Sequence, residues 1–430
     1  MTRYSLLFIA MCLALSGFGQ QDLSLTDAVR IALENNYDLK MVRHNQRMAE
    51  IRNNWGTAGR YPYINLSAES RSSINDNDTD DFIQNQYVGT AGVNWTLFDG
   101  FSVRISKQRL DELEELSKQN TGIMIEGTVQ AVILAYYTVL LEKEKLEVYR
   151  GVMDLSEDLY KRAELKKDFG TAVTYEVLQA QNAFLTDKSS WLIQEVAVKN
   201  ALRNLNYLLA VPENQSYKLV SDFSAIPVDY VLTDLKEQML ENNKSLKNQY
   251  INQNLLRNAV ALAKSDYYPT LSFNGGVSGS RTGMDYDSRG ISWNTAVNYY
   301  GNFTLSFNLY SGGNRKRASQ IAEIEREVGL VEMEQMKHEL SNQLSNLFEF
   351  YLVRKELLKV AAENLATAGL NLQISREKYE SGAINSFNFR DVQNIYLNAA
   401  LRELEAVYYF IDVHTSLLRM TGTIIQQYNF

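Results

Sequence analysis

The sequence predicts a mainly α-helical fold with four β-strands, arranged as two similar halves of one body. Three observations predict it: an order of signals that occurs twice, alternating segments of strand length, and long proline-free stretches at helical spacing. The 45% hydrophobic and 22% charged residues are typical of a folded protein. Length alone would suggest two or three domains, but the repeated order favours a single body.

The first element along the chain is an export signal. Arg3 precedes an apolar run from Leu6 to Leu15, and Gly17 and Gly19 are small residues of the kind that a signal peptidase recognises. We therefore expect residues 1–19 to be a cleaved signal peptide and the chain to be exported.

Cysteine content and charge exclude several kinds of site and partner. Cys12, the only cysteine, lies in the signal, and Met11 before it is too large for a lipidation motif, which is the alternative role. The mature chain would then have no disulfide and no cysteine metal site. Loss of Arg3 leaves 42 basic and 51 acidic residues, which argues against a nucleic acid partner. After the signal, no run of 18 consecutive apolar residues occurs, so we expect no transmembrane helix.

The two halves follow the same order of elements. Each begins with Leu-Thr-Asp, continues for about 30 residues at helical spacing, reaches Tyr-Pro and then holds two alternating segments, the second ending on an aromatic residue and a glycine. The counterparts are Leu25-Thr26-Asp27 and Leu232-Thr233-Asp234, Tyr61-Pro62 and Tyr268-Pro269, and the glycines Gly100 and Gly312. Duplication followed by changes in loop length explains this order.

This order predicts the organisation of the mature chain. The first repeat, 20–210, would hold a helix, a β-hairpin over 62–98, a long helix over 103–167 and a helix over 172–210. A linker follows over 211–230. The second repeat, 231–422, would hold a helix, a hairpin over 269–310, a long helix over 315–380 and a helix over 386–421, before a tail over 423–430.

The alternating segments predict strands with one apolar and one polar face. The apolar face would hold Ile64, Leu66 and Ala68; Tyr87, Gly89, Ala91, Val93, Trp95 and Leu97; Leu271, Phe273 and Val277; and Tyr299, Gly301, Phe303, Leu305, Phe307 and Leu309. Each segment has about 10 residues, which is enough for a tilted strand to cross a bilayer. An amphipathic soluble sheet is the alternative for any one strand, but four strands in an exported chain favour a membrane. Since four strands cannot close a barrel, we expect copies of the chain to share one.

The remaining segments predict unusually long helices. No proline occurs from Val103 to about Lys167 or from Arg315 to about Glu380, and each stretch would span about 95 Å as a continuous helix. Apolar residues at spacings of three and four indicate that these helices pack side by side as in a coiled coil.

These features together resemble the TolC-like outer-membrane efflux proteins over essentially the whole mature chain. The resemblance rests on Leu25-Thr26-Asp27-Ala28, both Tyr-Pro pairs, both strand ends, and Gly170 and Gly382 followed by Gln181-Asn182 and Gln393-Asn394. It implies a homotrimer with a twelve-stranded transmembrane β-barrel, continued by an α-helical coiled-coil barrel, with residues 211–230 in an equatorial belt. It also implies an outer-membrane channel of a tripartite efflux or type I secretion system with a large periplasmic portion, joined by a periplasmic adaptor to an inner-membrane pump.

The resemblance also implies a gate at the periplasmic tip, near turns at 168–174 and 380–386. The family pattern is Tyr-x-x-Gly-x-Arg followed by two aspartates. Here Tyr379 and Gly382 match, whereas Ile384 stands at the arginine position, which puts a Tyr-Arg latch in doubt. The candidate gate residues are Glu176, Gln179, Tyr379, Asn388 and Asp391, and the candidate adaptor-docking turns hold Gly170, Thr171, Gly382 and Ala383.

Two carboxylates carry the chemistry of this gate. Three copies each of Glu176 and Asp391 would ring the pore with negative charge and favour cations. Alternatively, both are ordinary residues in the first turn of a helix, where the helix dipole favours acidic side chains.

Other chemistry finds little support in the sequence. His44, His338 and His414 are isolated in predicted helices and lack metal-ligand spacing. Asp76, Asp78 and Asp80 begin like a calcium loop, but Asp81 and Tyr87 replace its glycine and glutamate, so a solvated acidic loop fits better. No nucleophile elbow or nucleotide motif occurs, so we expect no enzyme activity, cofactor or metal.

Two alternatives belong to other classes of protein. One is a periplasmic or surface coiled-coil scaffold without a pore, and the other is a soluble binding protein or enzyme with helical domains, which the absence of clustered catalytic side chains disfavours. Export of drugs, metal ions and polypeptides would use the same conduit, with the partner pump deciding between them.

Overall fold

A computed structural model describes residues 21–76, 82–286 and 290–428. The chain divides into two compact units. The first holds the described residues up to Val42, then Gly122–Lys244 and those from Lys337 onward; the second holds Arg43–Thr121 and Ser245–Met336. The expected signal peptide and most of the acidic loop after Asp76 lie outside the described residues.

The order of elements repeats in the two halves of the chain. The first half holds β1 (Gln21–Leu23), α1 (Leu25–Asn35), α2 (Tyr37–Arg52), β2 (Tyr63–Asn75), β3 (Phe82–Asp99), α3 (Ser102–Asp168) and α4 (Thr174–Leu209). After β4 (Tyr217–Leu219) come α5 (Leu232–Asn242), α6 (Lys244–Ser265), β5 (Thr270–Tyr286), β6 (Gly290–Ser306), α7 (Asn314–Glu380), α8 (Ser386–Met420) and α9 (Ile424–Gln427). The helices α3 and α7 have 67 residues each, or about 100 Å at 1.5 Å per residue.

The first unit has a core built on the apolar face of α3. Val129, Val132, Ile133 and Tyr136 are fully buried at the spacing of three and four that predicted helix packing. They form one cluster with residues of α1 and α4. The Tyr136 hydroxyl donates a hydrogen bond to the Leu23 carbonyl oxygen at 2.8 Å, which connects α3 to β1. Burial of each such side chain stabilises the fold by about 1.5 to 3 kcal/mol.

The helix α3 also has the composition of a membrane span. Among the described helices it alone contains an 18-residue window apolar enough to cross a membrane, and half of that window is buried inside the structure. The expectation from the sequence concerned uninterrupted apolar runs, and this window is interrupted by polar residues. A core helix passes the same test, and the buried Val129, Val132 and Ile133 are core residues.

The second unit contains an antiparallel sheet in the order β2-β3-β5-β6. Residues directly opposite in neighbouring strands share a face, so the register tests the predicted faces. Leu66 pairs with Ala91, Ala91 with Val277 and Val277 with Tyr299. On the other face Asn94 pairs with Asn274, and Asn274 with Asn302. The alternating segments therefore align as one apolar and one polar sheet face.

The strands differ in extent from the expectation of about 10 residues each. They have 13, 18, 17 and 17 residues. The strand expected to reach Tyr310 ends at Ser306, opposite Thr270. Since Pro269 precedes Thr270 and lacks an N–H donor, the ladder stops there. A register shift between Thr96 and Phe98 also leaves Leu97 without a partner in β5.

Candidate functional site

Two turns in the first unit carry the candidate site, and both end a 67-residue helix in the same way. After α3, the Thr171 N–H donates to the Lys166 carbonyl at 2.8 Å and the Gly170 N–H to that of Lys167 at 2.9 Å. After α7, the Ala383 and Gly382 N–H groups repeat these bonds. Gly170 and Gly382 have φ of 74° and 77°, the left-handed conformation that this helix ending requires. The four predicted docking residues thus occupy equivalent positions in the two turns.

The helices that follow these turns begin differently. Asn385 caps α8, since its side-chain oxygen accepts a hydrogen bond from the Asn388 N–H at 2.9 Å. Val173 precedes α4 and offers no side-chain cap, but Glu176 lies in the first turn of α4. Asp391 lies beyond the first turn of α8, which holds no acidic residue. The helix dipole therefore explains an acidic residue at position 176 but not one at position 391.

Tyr379 is the most tightly held of the predicted gate residues. Its ring stacks on Phe389 with the centroids 5.2 Å apart, and the Lys166 ammonium group lies 5.7 Å from its centroid. Burial raises the pKa of the Tyr379 hydroxyl, and the negative charge of Glu176 raises it further. The contact with Lys166 therefore joins the end of α3 to Tyr379 at the end of α7.

The other predicted gate residues are only partly brought together. Gln179 accepts a hydrogen bond from the Ser386 hydroxyl at 3.2 Å, which joins α4 to α8. Asn388 and Asp391 are exposed, and within the described residues no hydrogen bond or ion pair joins either one to Glu176.

A strong ion pair near the turns was missed by the sequence analysis. The Arg390 guanidinium donates two hydrogen bonds of 2.6 Å to the two oxygens of Asp187, whose side chain is 5% exposed. The sequence did contain a signal for this pair. Phe184 and Trp191 lie three residues before and four residues after Asp187, so the three side chains share one face of α4 and the carboxylate lies on an apolar stripe. A charge in that position needs a partner.

Large apolar side chains at the turns were also missed. Phe169, Tyr175 and Phe387 have exposed fractions of 80%, 71% and 69%. Exposed aromatic residues are typical of surfaces that bind another protein.

No group of histidine and acidic side chains in the described residues could hold a metal ion. His414, one of the three isolated histidines, packs instead against the rings of Tyr230, Tyr351 and Phe410.

The model of the family described as outer membrane efflux protein matches residues 28–211 and 235–423. The chain belongs to the outer membrane efflux protein family. Both matched segments contain a hairpin, a 67-residue helix and one of the two turns.

Individual relatives agree with this membership. The outer membrane protein TolC of Vibrio cholerae is 26% identical over 274 residues, which cover 61% of this chain and 59% of that protein. The probable outer membrane lipoprotein SilC of Salmonella typhimurium is 22% identical over 84% of this chain and 77% of its own. This outer membrane efflux protein thus spans less than two thirds of the length of the first of these relatives.

The fold of this outer membrane efflux protein is found in solved channel structures. The outer membrane channel CmeC of Campylobacter jejuni matches with a TM-score of 0.74 at 16% identity, over 93% of this chain and 86% of that one. At this identity the likeness concerns the fold alone.

Proposed function

We propose that three copies of this outer membrane efflux protein form a passive channel across the outer membrane, in which each copy contributes four strands to one β-barrel. The observation that carries the proposal is the amphipathic sheet of the second unit. Its apolar face presents Leu66, Tyr299 and Phe303 as exposed side chains, which suits lipid, and its polar face carries the asparagine row, which suits water.

The edges of this sheet support the sharing of a barrel. The strands β2 and β6 are the two outer strands, and neither has a second partner among the described residues. In a bilayer each unpaired backbone group costs several kcal/mol, and single-chain barrels need about eight strands. Pairing of β2 with β6 of another copy removes both edges, and three copies give twelve strands.

Exposed apolar side chains on the helices support the same assembly. On α4 the apolar residues Leu178, Leu185 and Leu192 recur every seven positions and are exposed. On α7 the exposed residues Val353, Leu357 and Val360 follow at spacings of four and three, which together make one heptad. We call these six residues the exposed seam. Such heptads pack against a neighbouring helix, and copies of the chain would supply that helix.

The turns would form the periplasmic aperture, where substrate enters. Three copies of Glu176 and Asp391 would line the aperture with carboxylates, and Tyr379, Gln179 and Asn388 would lie beside them. The hydrogen bond between Gln179 and Ser386 would hold α4 against α8. It would take the role of the family's arginine, since Ile384 stands at that position. An inner-membrane pump would supply the energy for transport.

A periplasmic adaptor would dock on the two turns. Gly170, Thr171, Gly382 and Ala383 are exposed, and Phe169, Tyr175 and Phe387 add the aromatic side chains that often dominate protein interfaces. Crosslinkers placed at Thr171 and Ala383 should capture a periplasmic partner, whereas crosslinkers on the exposed α3 residue Asp154 should not. Capture of a partner at Asp154 but not at Thr171 or Ala383 would contradict docking on the two turns.

Native mass spectrometry of protein purified in detergent from an outer-membrane fraction tests the channel. A mass of three mature chains is expected, together with discrete conductance in a planar bilayer. The alternative is a coiled-coil scaffold without a pore, which predicts release from the membrane by carbonate or high salt. A monomer that stays soluble without detergent would contradict the channel and support the scaffold.

A further inference from the structure

A cavity of about 350 Å³ lies at the junction between β3 and α3 in the second unit. Its walls include the aromatic rings of Trp55, Trp95, Phe98 and Phe101, and two arginines, Arg60 and Arg104, also line it. We call these six residues the junction cage. Neither the predicted gate nor the predicted docking turns include any of them.

Contacts within the junction cage hold its walls in place. The Trp95 indole N–H donates a hydrogen bond to the Arg60 carbonyl oxygen at 3.0 Å. The Arg60 guanidinium lies 4.9 Å from the centroid of the Trp55 ring, and Phe98 meets Phe101 edge to face at 5.2 Å. The cage is therefore formed before any ligand enters.

The two arginines of the cage lack a carboxylate partner. Within the described residues, neither Arg60 nor Arg104 forms an ion pair, and both are exposed. Asp99 also lines the cavity, but its carboxylate accepts hydrogen bonds from the Ser102 hydroxyl and from the Val103 N–H, the latter at 2.9 Å. Asp99 thus caps α3, and the guanidinium groups remain available for an anion.

The position of the cage relates it to the lipid-facing side of the sheet. Trp95 pairs with Phe273, and Phe273 with Phe303, near one end of the apolar face. The strand β3 ends four residues beyond Trp95, at Asp99. Tryptophan and arginine at the end of an apolar face are typical of the depth of lipid headgroups.

We propose that the junction cage binds the headgroup phosphate of an anionic phospholipid, with Arg60 and Arg104 on the phosphate and the aromatic rings against the glycerol and the first methylene groups. This site rests on the proposed channel, because it requires the apolar face to lie in a bilayer. A guanidinium group matches a phosphate with two parallel hydrogen bonds. A choline headgroup brings its own cation, which the arginines repel, so the cage selects phosphatidylglycerol over phosphatidylcholine.

The equivalent place in the second repeat provides a matched control. Arg104 is the third residue of α3, and Lys316 is the third residue of α7, followed by Arg317. Both Lys316 and Arg317 are exposed, but neither lines the aromatic cavity. The double variant Lys316→Gln/Arg317→Gln therefore removes two charges beside a strand end and leaves the cage intact.

Native mass spectrometry of the detergent-purified trimer with added phosphatidylglycerol or phosphatidylcholine measures lipid bound per chain. The wild type should bind phosphatidylglycerol more tightly than phosphatidylcholine. The variant Arg60→Gln/Arg104→Gln should bind phosphatidylglycerol about tenfold more weakly, and the control should bind it like the wild type. Inorganic phosphate should not displace the lipid, because it lacks the apolar part that the rings contact.

Three results would overturn the site: equal binding of the two lipids by the wild type, unchanged phosphatidylglycerol binding by Arg60→Gln/Arg104→Gln, or displacement by inorganic phosphate. If the double variant does not assemble, Arg104→Gln alone should weaken binding severalfold, and unchanged binding there is equally decisive. A trimer that lacks lipid selectivity contradicts only the cage. A wild type that is monomeric and soluble without detergent contradicts the channel and the cage together.

Discussion

His414 is a partly buried side chain whose protonation the fold opposes. It packs against three aromatic residues of the first unit, and its Nε2 lies 2.9 Å from the Tyr230 hydroxyl. Burial lowers its pKa to about 4, because the imidazolium ion loses its hydration there. A neutral ring can accept a hydrogen bond from the Tyr230 hydroxyl at Nε2, whereas a charged ring has no acceptor nitrogen.

This lowered pKa predicts a loss of stability in acid. The unfolded chain binds the histidine proton near pH 6.5, and the folded chain only near pH 4. Between these values the unfolded state binds more protons, so stability falls as the pH is lowered through this window, by up to about 3 kcal/mol. Above pH 6.5 the ring is neutral in both states and adds no pH dependence.

Thermal melting of the detergent-solubilised protein at about pH 7.5 and about pH 5 measures this effect. The variant His414→Gln should lose less stability on acidification than the wild type. His338→Gln is the matched control, since His338 is exposed on α7 and should leave the difference unchanged. Equal acid losses in all three proteins would show that His414 does not contribute.

The carboxylates Glu176 and Asp391 predict ion selectivity. If both line the aperture in three copies, replacing both with alanine should lower the cation-to-anion permeability ratio by a factor of about two or more. Reversal potentials in a planar bilayer under a salt gradient measure this ratio. Glu349→Ala/Glu363→Ala removes two exposed carboxylates of α7 far from the turns and should leave it unchanged. Unchanged selectivity in the Glu176/Asp391 variant would reject the ring.

At the scale of elements, the pair between Asp187 and Arg390 holds α4 against α8. Removal of one member leaves the other partly buried and unpaired, so Asp187→Asn should lower the free energy of unfolding by about 2 to 3 kcal/mol. Arg162→Gln breaks the exposed 2.9 Å pair with Glu380 and should cost less than about 1 kcal/mol. Denaturant unfolding monitored by circular dichroism compares the two.

A double variant shows whether the loss of stability in Asp187→Asn comes from the unpaired charge or from lost packing. Asp187→Leu/Arg390→Leu replaces both charges by apolar side chains, and it should be more stable than Asp187→Asn because no buried charge is left alone. If Asp187→Asn and Arg162→Gln cost the same, the buried pair does not join the two helices in the way that its geometry indicates.

Local periodicity explains which elements the sequence could predict. Alternation with a period of two gave the apolar row through Leu66, Ala91 and Val277, and glycines marked both turns. The end of β6 depends on pairing, since Pro269 limits a strand that begins 21 residues later, at Gly290. The apolar neighbours of Asp187 indicate that it needs a partner, but no local pattern identifies that partner as Arg390, 203 positions away.

The candidate site was predictable only where a local pattern existed. Gly170 and Gly382 end their helices in the left-handed conformation that only glycine adopts without cost, so the turns could be found from sequence. The exposure of Phe169 and Phe387 depends on which faces the neighbouring helices cover, and spacing alone does not determine this. Asp391 was predicted from the number of residues that separate it from Gly382. Its place in the second turn of α8 could be seen only in the structure.

At the scale of the whole molecule, the exposed seam distinguishes folding of one chain from assembly of several. Leu185 and Leu192 of the seam are 52% and 46% exposed in the single chain, so polar replacements should change its stability little. In an assembly the same side chains would be buried against another copy, where each loss costs about 1 kcal/mol or more. Three copies would multiply that cost.

The variant Leu185→Ser/Leu192→Ser should therefore keep its helix content but lose the trimer. Size-exclusion chromatography with light scattering in detergent measures the assembly, and circular dichroism measures the helices. Lys188→Ser changes an exposed residue of α4 outside the seam and should remain trimeric. A stable trimer in the double variant would show that the sheet edges alone hold the copies together, whereas loss of helix content would show that the two leucines stabilise the single chain.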